Sequence, residues 1–276
     1  TRKIASVAYL IDTLCMRVGD EKDKDEADTV GATTLRKEHV FIEGNEVRFK
    51  FLGKDSVLWE KKIVNPPPEF LKNLKYFIEH SKTGQIFEGI NSRAVNRFLS
   101  KAVPGLTAKV FRTYHATLTF YTYLNNVINE IDDEEEALFH VKVANLITAM
   151  RLNHKRTPPA NFKESLDKKI KKLYELLFKP KKKLSDAYMK RIRKAEVQVQ
   201  VQQMIKDYNL NTSLKNYIDP RVALAWSRAV GLPIDKIYSA SLRRKFKWAN
   251  KSKIGWEALQ SFLEEYEPPE PDIKEI

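Results

Sequence analysis

Leu214-Lys-Asn-Tyr-Ile-Asp-Pro-Arg221 sets a tyrosine between an asparagine and an Asp-Pro break, just after a long lysine-rich stretch of helical pattern. Most tyrosines bury their ring in a core. A tyrosine hydroxyl can also act as a nucleophile. The octapeptide alone leaves both readings of Tyr217 open. Pro220 suits the first turn of a helix, where its missing N–H costs nothing and its φ is already helical. A helix from Pro220 to Val230 is therefore expected directly after the tyrosine.

Upstream, Asn161 to Tyr208 reads as an antiparallel helical hairpin. Leu166, Ile170, Leu173 and Leu177 fall at near-heptad spacing. Lys179-Pro180 breaks the pattern, and Met189, Ile192 and Val199 carry the return arm. From Lys163 to Lys194 there are 13 basic and 4 acidic residues, a net of +9. Two helices this basic are expected to pack on each other more than on a core, as a protruding arm. The same basicity is compatible with a solvated helical arm or with a surface for a polyanion.

The first half is mixed. In Ile4–Arg17, Val7, Leu10, Ile11 and Leu14 make an i, i+3, i+4, i+7 stripe. Arg17 is expected to end that helix, with Gly19 as the stop. The charged segment Asp20–Asp28 reads as a loop. His39–Ile42, Glu46–Leu52 and Ser56–Ile63 are rich in Val, Ile, Phe and Trp. Gly44-Asn45 and Gly53-Lys54-Asp55 separate them with turn chemistry, which predicts a small antiparallel sheet with Lys54 at a hairpin tip. Pro66-Pro67-Pro68 ends it. Helices follow: one with Phe70, Leu74, Phe77 and Ile78 on a face, then Asn91–Leu99, Lys109–Ile128 and Glu136–Asn153. Shorter ones are expected near Ser241–Trp248 and Trp256–Tyr266, before an acidic, Pro-rich tail from Pro268 to Ile276. The carboxylates of Asp132–Glu136 suit a solvated helix start better than a metal site.

The chain has 276 residues, 42% of them hydrophobic, enough for one large domain or two smaller ones. No apolar run reaches 18 residues, so no membrane span is expected, and no signal-peptide pattern is visible. The start at Thr1, straight into an amphipathic segment, is compatible with a fragment of a longer protein. A single cysteine, Cys15, excludes disulfide frameworks and cysteine zinc sites and fits a reducing, intracellular setting. With 49 Lys+Arg against 36 Asp+Glu the net charge is +13, which favours a polyanionic partner, most simply nucleic acid.

No GxxxxGK[ST] loop, GxSxG elbow, HExxH or GxGxxG occurs, so nucleotide cofactors and familiar metal boxes are not expected. Metal-free transfer at a phosphodiester needs a nucleophilic oxygen, cations around the phosphorane and a proton donor for the leaving oxygen. Tyrosine suits the first role. Arginine, with its planar fork, suits the second. Lysine or histidine suits the third. Candidates are Tyr217, Arg17, Arg112, Lys54 and His154. No spacing rule links them, and each also has a plain structural reading: a core ring, helix-end and turn cations, a satisfied histidine.

Five stretches carry a resemblance. They are Arg17-Val-Gly-Asp-Glu-Lys22 with Ala27-Asp-Thr-Val-Gly31 and Leu35-Arg-Lys-Glu-His39; Phe51-Leu-Gly-Lys-Asp-Ser56; Gly105-Leu-Thr-Ala-Lys-Val-Phe-Arg-Thr-Tyr114; Asn153-His-Lys-Arg-Thr-Pro-Pro159; and Asn216-Tyr-Ile-Asp-Pro-Arg221. In this order they resemble the catalytic domain of eukaryotic-type type IB DNA topoisomerases, and the likeness runs on into Gly231-Leu-Pro-Ile-Asp-Lys-Ile-Tyr238.

The resemblance implies a mainly α fold with a small antiparallel β-sheet (α+β), the tyrosine recombinase/type IB topoisomerase catalytic fold. It implies a catalytic core over 1–160, a basic hairpin linker over 161–208 and a C-terminal segment with the nucleophile over 209–276. Tyr217 would form a 3′-phosphotyrosyl link, Arg17 and Arg112 would clamp the non-bridging oxygens, and His154 would hydrogen-bond one of them. Lys54 would protonate the leaving 5′ oxygen. Lys22, Thr29, Asn96 and Lys109 would meet phosphates, Asp55 would lie beside the minor groove, and Asn216 would adjoin the cleavage site.

The implied partners are double-stranded DNA, an N-terminal cap lobe that this chain starts after, and a camptothecin-class inhibitor. No cofactor or metal is implied. The setting would be DNA-associated, the nucleus in a eukaryote or the cytoplasm and nucleoid in an archaeon. A tyrosine recombinase shares this logic but usually has histidine three residues before the second arginine, where Lys109 stands here. A DNA-binding fragment inactive without its cap lobe is the other alternative.

Overall fold

The computed structural model describes residues 1–19, 30–53, 57–178 and 185–264. Lys22, Thr29, Lys54 and Asp55 lie outside the described residues, as do the expected 20–28 loop, the Lys179-Pro180 break and the 268–276 tail. The chain divides into two compact units, Thr1–His115 and Ala116–Ile276.

In the first unit, α1 (Arg2–Leu14) buries Val7, Leu10, Ile11 and Leu14, the stripe that the spacing predicts. The helix stops before Arg17. Cys15 adopts a left-handed φ of 52° and ends it. Two cations take the carbonyls released there: Lys61 Nζ donates to Leu14 O at 3.3 Å, and Arg112 Nη1 donates to Cys15 O. Positive charge at a helix C-terminus complements its dipole, so this stop is set from outside the helix. Arg17 follows in irregular chain.

The sheet is an antiparallel meander of β1 (Val40–Glu43), β2 (Glu46–Leu52) and β3 (Leu58–Val64). Gly44, at φ 56°, provides the tight first turn. Strict alternation puts Val47, Phe49 and Phe51 of β2 inside. Phe51 pairs across to Trp59, and their rings stack at 4.8 Å. Gly53 N–H donates to Val57 O at 2.8 Å and closes the base of the second hairpin.

Against this sheet lie α1, α2 (Pro68–His80) and α3 (Ser92–Ala102). Leu10 and Leu14, Phe49 and Trp59, Phe70, Leu74 and Phe77, and Val95 and Leu99 share one core. Each such side chain contributes roughly 1.5–3 kcal/mol on burial.

The loop between α2 and α3 is organised by one carboxylate. Glu88 Oε1 accepts from Thr83 N (2.7 Å), Thr83 Oγ1 (2.8 Å), Lys82 N (2.8 Å) and Ser81 Oγ (3.1 Å). These donors, the Thr83 N–H foremost, hold its pKa down at about 2. A depressed carboxylate stabilises the fold fully above the ordinary carboxylate pKa and loses that contribution as the pH falls through its own. Amide-exchange protection of Thr83 and Lys82 is therefore expected to fall between about pH 4.5 and about pH 2. Glu88→Gln should remove this pH dependence; a wild-type protection flat across that window would contradict the assignment.

Helix α4 (Ala108–Val127) begins in the first unit and continues into the second. The second unit adds α5 (Glu134–Arg151), α6 (Phe162–Phe178), α7 (Asp186–Met204), α8 (Leu210–Asn216), α9 (Pro220–Ala229), α10 (Ile234–Ile237), α11 (Ala240–Lys245) and α12 (Trp256–Glu264). Its buried side chains include Phe120, Leu124, Leu146, Leu214, Ile218, Trp226, Tyr238 and Trp256.

Helices α6 and α7 pack on each other, and α6 buries none of its residues fully. The return arm does more than the charge pattern suggests. α7 also packs on α5, and Ile192, Ala195, Val199 and Val201 are among its buried residues. The acidic run at the start of α5 explains part of this. Asp133 caps the helix, accepting from Glu135 N and Glu136 N at 2.9 Å. Glu135 then pairs with Lys194 at 2.6 Å, and Glu136 pairs with Arg193. The run is a helix start, as expected, but its carboxylates also hold the basic arm.

Candidate active site

The turn between α8 and α9 accounts for the stretch around the tyrosine residue by residue. Tyr217 is the C-cap of α8, its N–H donating to Ser213 O at 3.0 Å. Ile218 is buried and anchors the turn. Asp219 caps α9 by accepting from Arg221 N at 2.9 Å, and Pro220 opens that helix. Tyr217 itself is only half-buried. Its neighbour Ile218 takes the buried position in the turn.

One residue distant in sequence holds the turn. Thr117 Oγ1 donates to Tyr217 O at 3.4 Å and accepts from Asp219 N at 3.0 Å, so one hydroxyl spans the peptides on either side of Ile218. Thr117→Val keeps the shape and removes both bonds. It is expected to lower stability by about 1–2 kcal/mol, read as a shifted urea midpoint with an unchanged slope.

His154 stands beside Tyr217, their ring centroids 5.2 Å apart. It is 4% exposed. Asn153, at φ 54°, turns the chain out of α5, and His154 N–H donates back to Ala149 O at 2.8 Å. His154 O accepts from Asn209 N at 2.8 Å just before α8, and His154 Nδ1 lies 2.8 Å from Ser213 Oγ. Asn216, the last residue of α8, is exposed next to the tyrosine.

The first unit carries the two arginines. Arg112 is 4% exposed, and its hydrogen bond to Cys15 O ties it to the chain two residues before Arg17. One turn along α4, His115 Nε2 meets Asp12 Oδ1 at 2.6 Å, a second tie between α4 and α1. Arg17 is exposed. Its backbone is held, since Arg17 O accepts from Ala32 N at 2.8 Å and Val18 O from Thr33 N at 2.8 Å. Gly19 and Gly31 face each other where these two segments meet; a Cβ on Gly31 would lie 2.5 Å from Gly19 Cα. Lys109 is exposed one turn before Arg112. Asn96 has a structural task, its Oδ1 accepting from Ala108 N at 2.9 Å at the start of α4.

Sequence reasoning overlooked Ser213, Thr117 and the Cys15 carbonyl. Hydroxyls in helices are common, and a backbone acceptor leaves no mark on residue type.

A family model for the eukaryotic DNA topoisomerase I catalytic core matches residues 1–189, and one for the C-terminal topoisomerase domain matches residues 189–258. This chain belongs to the eukaryotic DNA topoisomerase I family. DNA topoisomerase 1 of Drosophila melanogaster is 35% identical over 268 residues, covering 90% of this chain and 28% of that protein. DNA topoisomerase 1 of Homo sapiens is 34% identical over 288 residues, covering 90% and 37%. DNA topoisomerase 1 alpha of Arabidopsis thaliana is 34% identical over 281 residues, covering 90% and 31%. The chain thus spans about a third of the length of these topoisomerase I relatives. Among the described residues no helix is long and apolar enough to cross a membrane.

Proposed function

We propose that this chain is the catalytic region of a type IB DNA topoisomerase, relaxing supercoiled duplex DNA by transient cleavage of one strand. The observation that carries the reading is Tyr217, half-buried in a braced turn beside His154, within a chain of the topoisomerase I family.

Duplex DNA binds chiefly through its phosphates, with strong salt dependence. Tyr217 Oη gives up its proton to water and attacks the scissile phosphorus, forming a 3′-phosphotyrosyl bond as the bond to the 5′ oxygen breaks. Arg17 and Arg112 hold the non-bridging oxygens as negative charge grows, with His154 donating to one of them. Lys54 gives its proton to the departing 5′ oxygen. The free end rotates about the intact strand. The 5′-hydroxyl then attacks the phosphotyrosine and releases Tyr217. One phosphoester is exchanged for another at each step, so the chemistry balances without ATP or metal.

Lys22, Thr29, Asn96 and Lys109 contact phosphates, Asp55 lies by the minor groove, and Asn216 flanks the cut. Residues 1–160 serve as core, 161–208 as a basic linker that slows rotation, and 209–276 as the segment bearing the nucleophile. A cap lobe completes the clamp, and camptothecin-class compounds trap the covalent complex. The enzyme works where the DNA is, which for a eukaryotic member is the nucleus.

The test is relaxation of negatively supercoiled plasmid in EDTA without ATP. Relaxation supports the reading. Plasmid binding without relaxation would mean that this chain alone is a binding fragment.

A further inference from the structure

Ser213 links the imidazole to the nucleophile's turn. It is fully buried, at 0% exposure, in the α8 turn preceding Tyr217. Its side chain and backbone face different partners. Oγ lies 2.8 Å from His154 Nδ1, while its carbonyl accepts from Tyr217 N and Ile218 N, both at 3.0 Å. The histidine is also tied to this segment through Asn209 N–H on His154 O. A shift of α8 would therefore move the histidine and the tyrosine together.

We propose that Ser213 is the positioning residue for His154: its hydroxyl donates to Nδ1 and fixes the imidazole as the tautomer that carries its proton on Nε2. A neutral imidazole has one N–H and one acceptor nitrogen, and the bond made by one nitrogen decides the role of the other. A hydroxyl donating to Nδ1 leaves Nε2–H as the ring's donor. Only that nitrogen can then give a hydrogen bond to an oxygen that gains negative charge. The opposite tautomer would present a lone pair to that oxygen and repel it. Ser213 thus acts through His154 rather than on substrate. The inference rests on the proposed topoisomerase chemistry for its catalytic consequence, but the tautomer is a property of the free protein.

Two readouts on the full chain test it. The first is ¹⁵N NMR of His154 without DNA, its signals assigned by loss in His154→Gln. The unaltered protein should show the Nε2–H form, and Ser213→Ala should shift the signals toward a mixture with the Nδ1–H form. The second is single-turnover cleavage of a duplex oligonucleotide whose short downstream piece is lost after the cut. Ser213→Ala should slow cleavage about 10- to 100-fold, the scale for groups that orient a ligating or catalytic histidine, with duplex affinity unchanged. Ser213→Thr keeps the hydroxyl and should recover most of the rate.

An Nδ1–H form in the unaltered protein, or a tautomer indifferent to Ser213→Ala, would overturn the proposal whatever the enzyme does. Unchanged cleavage in Ser213→Ala would overturn its catalytic part. If the unaltered chain does not cleave DNA at all, the topoisomerase reading of this chain fails, and the NMR result still decides the role of Ser213.

Discussion

Tyr217→Phe is expected to abolish plasmid relaxation and covalent capture of DNA, by about 10⁴-fold or more, while leaving duplex binding intact. Losing the proposed nucleophile of a concerted set would cost on that scale, because no other group would form the intermediate. The substitution removes one oxygen and keeps the ring. The packing beside His154 at 5.2 Å and the backbone bonds of the turn remain, so the melting temperature should change by no more than about 2 °C, within the range of mild substitutions. Tyr174, exposed on α6, is the control: Tyr174→Phe should relax plasmid at the normal rate. Denaturing gels after incubation with labelled duplex report the covalent species directly. Capture that survives in Tyr217→Phe would move the nucleophile elsewhere.

The second large effect is structural and lies in the first unit. Gly31→Ala should destabilise the protein by about 3 kcal/mol, since overpacking against backbone adds to broken hydrogen bonds. The new Cβ would sit 2.5 Å from Gly19 Cα, 2.6 Å from Gly19 N and 2.9 Å from Arg17 O. All three are backbone atoms, so no side chain can swing aside. Relief requires parting the segments joined by Ala32 N to Arg17 O, Thr33 N to Val18 O and Thr33 Oγ1 to Gly19 O, each 2.8 Å. Arg17 would move with them, and cleavage should fall along with stability. Gly44→Ala is the comparison. Its Cβ meets nothing within 4 Å, and only the strain of φ 56° remains, about 1–2 kcal/mol. Thermal melts should rank Gly31→Ala well below Gly44→Ala; equal losses would show that the Gly19–Gly31 approach is not tight in solution.

Residue order alone determined the local elements. The stripe Val7, Leu10, Ile11, Leu14 and the alternation Val47, Phe49, Phe51 state which face is buried, because helix and strand periods differ. Asp219-Pro220 marks the start of α9 through capping and ring geometry that act within a few residues. The five ordered stretches pointed to the family, and with it to Tyr217, before any contact was known.

Only the tertiary structure decided where the local rules stop. Helix α1 ends at Leu14 rather than at Arg17 because Arg112, 97 residues away, takes the Cys15 carbonyl. The short α8 escaped notice because one or two turns are too few for a period to emerge. The acidic start of α5 looked like a solvated cap until Arg193 and Lys194 of the basic arm came to lie against it. Ser213 meets His154 across 59 residues, and Thr117 braces the tyrosine turn across 102. A hydroxyl or a carbonyl has no fixed partner in sequence; folding chooses one by burying both and leaving each no other way to satisfy its hydrogen bond.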